Sequence, residues 1–131
     1  MASRRFLKKV EPPKEQIIGQ RQYISFSFEF LHDVSYTDCD RPEFFIGFLK
    51  RLRGLCKLDW SEINKSQRHS FGYEKIPIAS IKKSINTTKE ISHLFAFRAT
   101  GDNHVFLGFR EENIFKVIFI ESKFGDIYNH G

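Results

Sequence analysis

The sequence is poor in the residues on which several classes of protein depend. Its 131 residues include two cysteines, Cys39 and Cys56, which lie neither in a Cys-x-x-Cys pair nor in a zinc-type spacing. Isolated cysteines are typical of a reducing cytoplasm and argue against a disulfide-stapled secreted domain. No run approaches the roughly 20 apolar residues of a membrane span, and polar residues follow the basic N-terminus where a signal peptide needs an apolar stretch. We expect a cytoplasmic protein without a membrane partner.

The sequence also lacks the short motifs of common cofactor-dependent enzymes. It contains no P-loop, no dinucleotide-binding glycine fingerprint and no Gly-x-Ser-x-Gly element. Its five histidines show no paired ligand spacing, and a His-Glu-x-x-His motif is absent. We therefore expect neither a metal site nor an organic cofactor.

Phenylalanine and positive charge are what the sequence has in excess. Fifteen Phe, four Tyr and one Trp bring large apolar areas, so we expect one packed core in a chain of this length. The formal net charge of +5 favours an anionic partner such as nucleic acid, an acidic protein or a membrane surface. Residues 1–21 are basic and poor in apolar side chains, which predicts a flexible arm before a single domain over residues 22–131.

Regular spacing of apolar residues predicts the elements of this domain. Residues 22–31 alternate apolar and polar side chains, as a half-buried strand does. Residues 41–55 repeat apolar side chains at helical spacing behind Asp40, a predicted N-cap. Asp59 is the predicted N-cap of a short second helix that buries Trp60. Three strand-like runs follow, over residues 93–99, 104–110 and 113–122.

The order of these elements defines the expected α+β fold. The links between the last three runs are of hairpin length, so the runs should form an antiparallel meander of three to four strands. We expect an N-terminal strand, two helices and then this meander, with the helices packed on one face of the sheet. The opposite face should be polar enough to meet water or concave enough to bind a ligand.

One polar loop concentrates groups that move protons and bind anions. The stretch from Asn64 to Pro77, NKSQRHSFGYEKIP, is too polar to form a core. His69 is its candidate proton-transfer residue, because an imidazole titrates near neutral pH. Glu74 next to Lys75 is interpreted as a solvated charge pair, since exposed pairs are common and weak. The candidate nucleic-acid contacts in this loop are Arg68, Tyr73 and Lys75.

Cationic side chains also interrupt the apolar faces of the predicted strands. Arg98 shares a strand face with apolar residues, and a buried arginine is rare unless it is paired or faces a site. Lys116 interrupts an isoleucine-rich face in the same way, and Arg110 ends its strand. With Tyr128 and His130 near the C-terminus, these residues form a candidate basic cluster that can transfer protons.

The closing segment, LFAFRATGDNHVFLGFREENIFKVIFIESKFGDIYNHG, preceded by strand–helix–helix, resembles the RelE/ParE-like toxin superfamily of bacterial toxin–antitoxin systems. The likeness lies in the order of elements over roughly residues 22–131, in the arginine-bearing meander and in the end that contains Tyr and His. It implies a compact RelE-like fold. One branch of this superfamily cuts mRNA on the ribosome without a metal, and another poisons DNA gyrase.

The resemblance also implies roles for single residues. Arg98 and Arg110 match the strand arginines that hold the scissile phosphate, and Tyr128 matches the aromatic residue near the C-terminus. His130 follows two places later, with Asn129 between them where the family often has Tyr and His adjacent. The implied partners are RNA, including ribosome-bound mRNA, and a cognate antitoxin protein.

Two interpretations of function follow from these residues. The first is a toxin that acts as a metal-independent endoribonuclease, an mRNA interferase, because attack of a ribose 2′-OH on phosphate needs a base, an acid and cations. The alternative is a non-catalytic nucleic-acid-binding or protein-interaction module with a basic surface. In the first interpretation the catalytic residues are His69, Arg98, Arg110, Tyr128 and His130, and the RNA-binding residues are Arg68, Tyr73, Lys75 and Lys116.

Overall fold

The computed structural model describes residues 22–37, 39, 41–66, 71–85 and 90–130. The predicted N-terminal arm lies outside this part of the chain. Within it, no helix combines the length and the apolarity that a membrane crossing requires.

The described chain is an α+β fold built on one mostly antiparallel sheet. The strand order is β1-β5-β4-β3-β2; β1 runs parallel to β5, and the other neighbours are antiparallel. Two short 3₁₀ turns cover Asp33–Ser35 and Ile78–Ser80. The elements in chain order are β1 (Ser25–Ser27), α1 (Pro42–Leu55), α2 (Trp60–Lys65), β2 (Tyr73–Pro77), β3 (His93–Arg98), β4 (Val105–Glu111) and β5 (Ile114–Ile120).

Two strands differ from the sequence-based prediction. The first predicted strand shrinks to the three residues of β1, because the chain turns where the amide of Leu31 donates to the carbonyl of Phe28 at 3.1 Å. The predicted polar loop contains β2, whose residues pair antiparallel with β3 from Tyr73 opposite Phe97 to Pro77 opposite His93. The meander of the described residues therefore has four strands, and β1 makes the sheet five-stranded.

Helix α1 presses an apolar stripe on the sheet. Its N-cap is Arg41 and it begins at Pro42, whereas the predicted cap, Asp40, lies outside the described residues. Leu49, which its helical spacing assigned to the apolar stripe, is instead 64% exposed and lies on the solvent side. The buried residues of the helix are Phe44, Phe48, Leu52 and Leu55.

Helix α2 begins with the predicted Asp59 cap. The Asp59 carboxylate accepts from the amide of Glu62 at 2.8 Å, and the Glu62 carboxylate accepts from the amide of Asp59 at 3.0 Å. This reciprocal capping box satisfies two backbone donors that would otherwise lack partners. Trp60 is buried in the first turn, and its indole Nε1 donates to the carbonyl of Asn113 at 3.0 Å. The capping box therefore fixes the start of the helix, and the Trp60 hydrogen bond anchors it against the start of β5.

The sheet carries an apolar core on each of its faces. The helices pack on one side, where Phe97, Phe106 and Phe115 contact one another through their rings. The opposite face was expected to be wet or concave. Most of it is instead apolar and packed under irregular segments, and it opens as a cleft near the turn between β3 and β4. The buried residues of this second core are Ile76, Leu94, Ala96, Val105, Leu107, Phe109, Ile118, Phe119, Ile127 and Tyr128.

A β-bulge in β5 changes which residues reach each face. Gly108 pairs with Val117 and Leu107 pairs with Phe119, so Ile118 is an extra residue between the two pairs. As a result Ile118 and Phe119 both lie in the core opposite the helices, and the alternation predicted for this strand is broken.

Candidate functional site

A cleft of about 320 Å³ opens on the face of the sheet opposite the helices, at the turn that joins β3 to β4. Strands β2 and β3 supply part of its wall, and the C-terminal segment closes it from the other side. The residues that line it are Glu74, Ala96, Arg98, Asn103, Val105, Phe124, Tyr128 and His130.

His130 is held in this cleft by a buried carboxylate. Its Nε2 atom lies 2.6 Å from Oε2 of Glu121, which accepts a further bond from the amide of Gly125 at 2.9 Å. The other carboxylate oxygen accepts from the amide of Val105 at 3.3 Å. Two lone pairs would repel at 2.6 Å, so a proton lies between the imidazole and the carboxylate. The pair thus fixes the ring and holds a proton at the wall of the cleft.

Glu121 is a fully buried acid with a raised pKa. Its side chain is 0% exposed, and burial raises its pKa by penalising the charged form. The hydrogen bonds from His130, Gly125 and Val105 act in the opposite direction without cancelling the effect of burial. A carboxyl group that is buried beside an imidazole in a cleft is a common feature of functional sites.

Aromatic rings define the orientation of the imidazole as well. The His130 ring lies against Phe124 at a centroid distance of 4.0 Å and against Tyr128 at 4.2 Å, with interplanar angles of 31° in both cases. Tyr128 is buried and its backbone forms a bridge with Ile81, so it is anchored to the body of the protein. Phe124 is 49% exposed and forms the outer lip.

Arg98 extends from the end of β3 and is positioned by the following turn. Its Nη1 donates to the backbone carbonyl of Asp102 at 2.6 Å. The Asp102 carboxylate in turn accepts from Thr100 at 2.7 Å and from the amide of His104 at 3.0 Å. Although burial acts to raise it, these bonds and the His104 ring lower the pKa of Asp102 to about 2. The Asp102 carboxylate therefore closes the turn, and the backbone carbonyl of the same residue holds Arg98 at the cleft.

The structure brings three predicted catalytic residues together. Arg98, Tyr128 and His130 line the same cleft although Arg98 lies about thirty residues before the other two in the sequence. Glu74, interpreted from the sequence as part of a solvated charge pair with Lys75, also lines it. Because side chains alternate along β2, Glu74 faces the cleft while its neighbours in the strand face the other way.

Arg110 lies elsewhere. Its guanidinium is 4.1 Å from the centroid of the Trp60 ring, on the helix side of the sheet. Arg98 pairs with Val105 at the start of β4, and Arg110 lies five positions further along this strand, about 17 Å from that pair. The expected pairing of the two arginines at one phosphate is therefore not supported by this geometry.

The other predicted residues are also dispersed. The Tyr73 ring packs on Phe95 at 4.9 Å and its hydroxyl donates to Asn64 at 2.8 Å, so Tyr73 ties β2 to α2. Lys75 is exposed on the edge strand β2, and it lies on the same face of the strand as Tyr73, opposite the face that lines the cleft. Lys116 forms an ion pair with Glu29, and this hydrogen bond raises the pKa of the lysine. Arg68 and His69 lie outside the described residues.

Sequence reasoning missed the carboxylate that completes the site. Glu121 follows an apolar strand in the segment Ile-Phe-Ile-Glu, where a polar side chain is expected to be exposed to solvent. Its burial depends on the C-terminal segment folding back over it, which no local pattern encodes. The available signal was its spacing from the histidine: an acid and an imidazole nine residues apart, on either side of a turn with Gly125 at φ +81°.

The cleft places groups that are able to transfer protons beside a guanidinium. The described residues contain no group of three or more His, Cys, Asp or Glu that could hold a metal ion. An imidazole with a carboxylate partner can accept or donate a proton near neutral pH, and a guanidinium matches the oxygens of a phosphate or carboxylate. Glu74 supplies a second group for proton transfer in the same cleft.

Comparisons of the chain with models of protein families, with curated proteins and with solved structures gave no match.

Proposed function

We propose that the protein is a metal-independent endoribonuclease, a toxin of the toxin–antitoxin kind, whose active site is the cleft around His130. The observation that carries this proposal is the pair of His130 with buried Glu121 in a cleft that also holds Arg98. A ribonuclease without a metal needs two proton transfers and a cation at the phosphate, and these groups have the required chemistry.

In this mechanism Arg98 binds the nonbridging oxygens of the scissile phosphate. The 2′-OH of the preceding ribose attacks phosphorus, and its oxygen–hydrogen bond breaks as the oxygen–phosphorus bond forms. The bond to the 5′-oxygen then breaks, which leaves a 2′,3′-cyclic phosphate and a new 5′-OH end. His130 and Glu74 perform the two proton transfers, one accepting from the 2′-OH and the other donating to the 5′-oxygen.

The remaining side chains of the cleft position these groups. Glu121 orients the imidazole through the hydrogen bond to its Nε2 atom. Phe124 is exposed at the lip, where an unstacked base can pack on its ring. Such a protein would be produced with an antitoxin, and the net charge of +5 favours an acidic one.

The test is RNA cleavage with the ends of the products identified. Purified protein is incubated with RNA in the presence of EDTA, and the 5′ ends of bacterial transcripts are mapped by primer extension after brief induction. We expect new 5′-OH ends in the wild type, with rates lower by about 10²–10⁴-fold in His130→Gln. His93→Gln is the matched control, because His93 bonds Ser92 at the far end of β3.

The outcomes separate the two interpretations of function. New ends that depend on His130 but not on His93 support the ribonuclease. RNA binding that is steeply salt-dependent, without new ends in either assay, would instead support a non-catalytic nucleic-acid-binding module. Circular dichroism and the melting temperature of each variant show whether it is folded.

A further inference from the structure

A second depression lies across the β3–β4 turn from the cleft. It has a volume of about 310 Å³ and is formed by α1, the turn and Phe71. We call it the α1 groove. The residues that line it are Gly47, Lys50, Arg51, Gly54, Phe71, Thr100 and Gly101.

Two helical glycines keep the α1 groove open. A Cβ atom at Gly47 would lie 3.5 Å from Cγ2 of Thr100, and a Cβ atom at Gly54 would lie 3.8 Å from Cε1 of Phe71. A methyl group would therefore just touch the far wall, and any larger side chain would occupy the groove. Glycine costs about 1 kcal/mol relative to alanine inside a helix, so two of them in α1 leave space at some expense of stability.

The walls of the groove carry cations beside an aromatic face. The Arg51 guanidinium lies 4.7 Å from the centroid of the Phe71 ring, and Lys50 lines the same depression. Phosphate groups of nucleic acid bind such cations, and their bases stack on aromatic rings. The same combination is unsuited to an apolar peptide, which would have to bury both charges.

Arg51 connects the groove to the cleft. Its Nε donates to the backbone carbonyl of Arg98 at 3.3 Å, so the Arg51 side chain reaches from α1 to the end of β3, where Arg98 turns to the cleft on the other face of the sheet. Burial, and after it the nearby charge of Arg98, lowers the pKa of Arg51. An anionic chain that passes over the turn would contact both arginines.

We propose that the α1 groove is a second subsite for single-stranded RNA, which binds one phosphate at Lys50 and Arg51 and packs one base against the stacked side chains of Arg51 and Phe71. The inference rests on the proposed function, since it makes the groove the path of the strand beyond the scissile phosphate at Arg98. The strand crosses the exposed β3–β4 turn at Gly101, where a Cβ atom would meet no described heavy atom within 4 Å, while the charged Asp102 carboxylate of the same turn is bonded to Thr100 and His104.

The test compares the binding of short and long RNA that cannot be cleaved. Oligonucleotides of mixed sequence with 2′-O-methyl ribose, of about 4 and about 12 nucleotides, are titrated by fluorescence anisotropy at several salt concentrations. We expect the wild type to bind the longer RNA more tightly. Lys50→Gln and Phe71→Leu should each weaken binding of the longer RNA by about fivefold or more and leave the shorter one unchanged.

Salt dependence and matched controls identify the contacts. Lys50→Gln should lower the slope of log Kd against log salt by about 0.7, the value for one phosphate contact with a single strand. Lys57→Gln removes the same charge outside the groove, and Phe28→Leu changes an exposed ring elsewhere. Both controls should bind the two oligonucleotides as the wild type does.

Two results would overturn the subsite: no advantage of the longer RNA, or an advantage that survives in both groove variants. A loss that is equal in Lys57→Gln would show general charge attraction and would also overturn it. Cleavage is measured on the same preparations. If the wild type binds in the predicted way but leaves no new RNA ends, the ribonuclease proposal fails while the groove stands as an RNA-binding site.

Discussion

His130 and Glu121 form one proton-holding unit: Nε2 of the imidazole lies 2.6 Å from Oε2 of a carboxylate that is fully buried. The acid comes directly after β5 and the histidine lies close to the end of the chain, so the unit exists only when the C-terminal segment is folded onto the sheet. Backbone amides of Val105 and Gly125 hold the carboxylate from two further directions. The orientation of the imidazole is therefore fixed by the core.

Replacing Glu121 by Gln should lower the rate of RNA cleavage with little change in substrate binding. Gln keeps the size of the side chain but has one acceptor oxygen where the carboxylate has two, so it cannot hold the imidazole and both backbone amides in the same way. We expect kcat to fall by about 10²-fold, the low end of what a positioned acid or base contributes, with KM within about threefold of wild type. Steady-state cleavage kinetics measure both constants. An unchanged kcat in a folded variant would show that Glu121 has a structural role alone.

The two strand arginines should respond differently to the same conservative change. Arg98→Lys keeps the charge in the cleft but loses the planar fork that matches phosphate, so we expect cleavage to fall by about 10²-fold. Arg110→Lys should leave cleavage unchanged and cost about 0.5–1 kcal/mol of stability, since Arg110 stacks on Trp60. Cleavage rates and the free energies of unfolding from chemical denaturation are measured for both variants. Equal loss of cleavage in both would restore Arg110 to the site that the sequence predicted for it.

The β-bulge should depend on glycine at position 108. A Cβ atom there would overlap the backbone carbonyl of Lys116 and would lie 3.0 Å from the Cα of Val117. These are central-strand backbone atoms that cannot move without breaking the pairing of β4 with β5, so we expect Gly108→Ala to cost about 3 kcal/mol or more. Gly101→Ala is the control. A Cβ at Gly101 meets no described heavy atom within 4 Å, and the change should stay within about 0.5 kcal/mol by urea denaturation.

The elements with a clear period could be predicted from the sequence. Helix α1, helix α2 and the last three strands lie close to where apolar spacing placed them, because each helix buries one apolar face and the strands are rich in apolar residues that fill the cores on both faces of the sheet. Strand β2 was assigned to a loop because Glu74, Lys75 and Pro77 give it a polar composition; it is an edge strand, which tolerates all three. The bulge at Ile118 could not be predicted, since it arises from pairing between strands.

The candidate site could be predicted from the sequence only in part. Arg98, Tyr128 and His130 stood out by residue type, and the fold brings them to one cleft. Glu121 was missed because its burial is a tertiary effect. The separation of Arg110 from Arg98 was already implied by the hairpin: a short turn after Arg98 places Val105 beside it, and an antiparallel strand carries Arg110 away from that end.

Glu121 and Asp102 should give opposite pH dependences of stability. Burial raises the pKa of Glu121, so the folded protein binds a proton there more tightly than the unfolded chain. The stability contributed by this proton is fully present below about pH 4.3, the usual Glu pKa, and is lost as pH rises through the raised folded pKa. Asp102 has its pKa lowered to about 2, so its contribution is present above about pH 3.9 and is lost as pH falls toward 2.

Urea denaturation at a series of pH values gives the unfolding free energy of the wild type and of two variants, Glu121→Gln and Asp102→Asn, in which each acid is replaced by its amide. In Glu121→Gln the decline of unfolding free energy with rising pH above about 4.3 should be smaller than in the wild type. In Asp102→Asn the decline on acidification below about 3.9 should be smaller, while the limb above it keeps its wild-type shape. The His130 ring contacts Glu121, so the pH dependence of His130→Gln is measured as well. A decline of unfolding free energy above about pH 4.3 that persists in His130→Gln is due to the Glu121 carboxyl group. If Glu121→Gln followed the wild-type curve at every pH, the buried carboxyl would not be the group whose titration produces the decline above about pH 4.3.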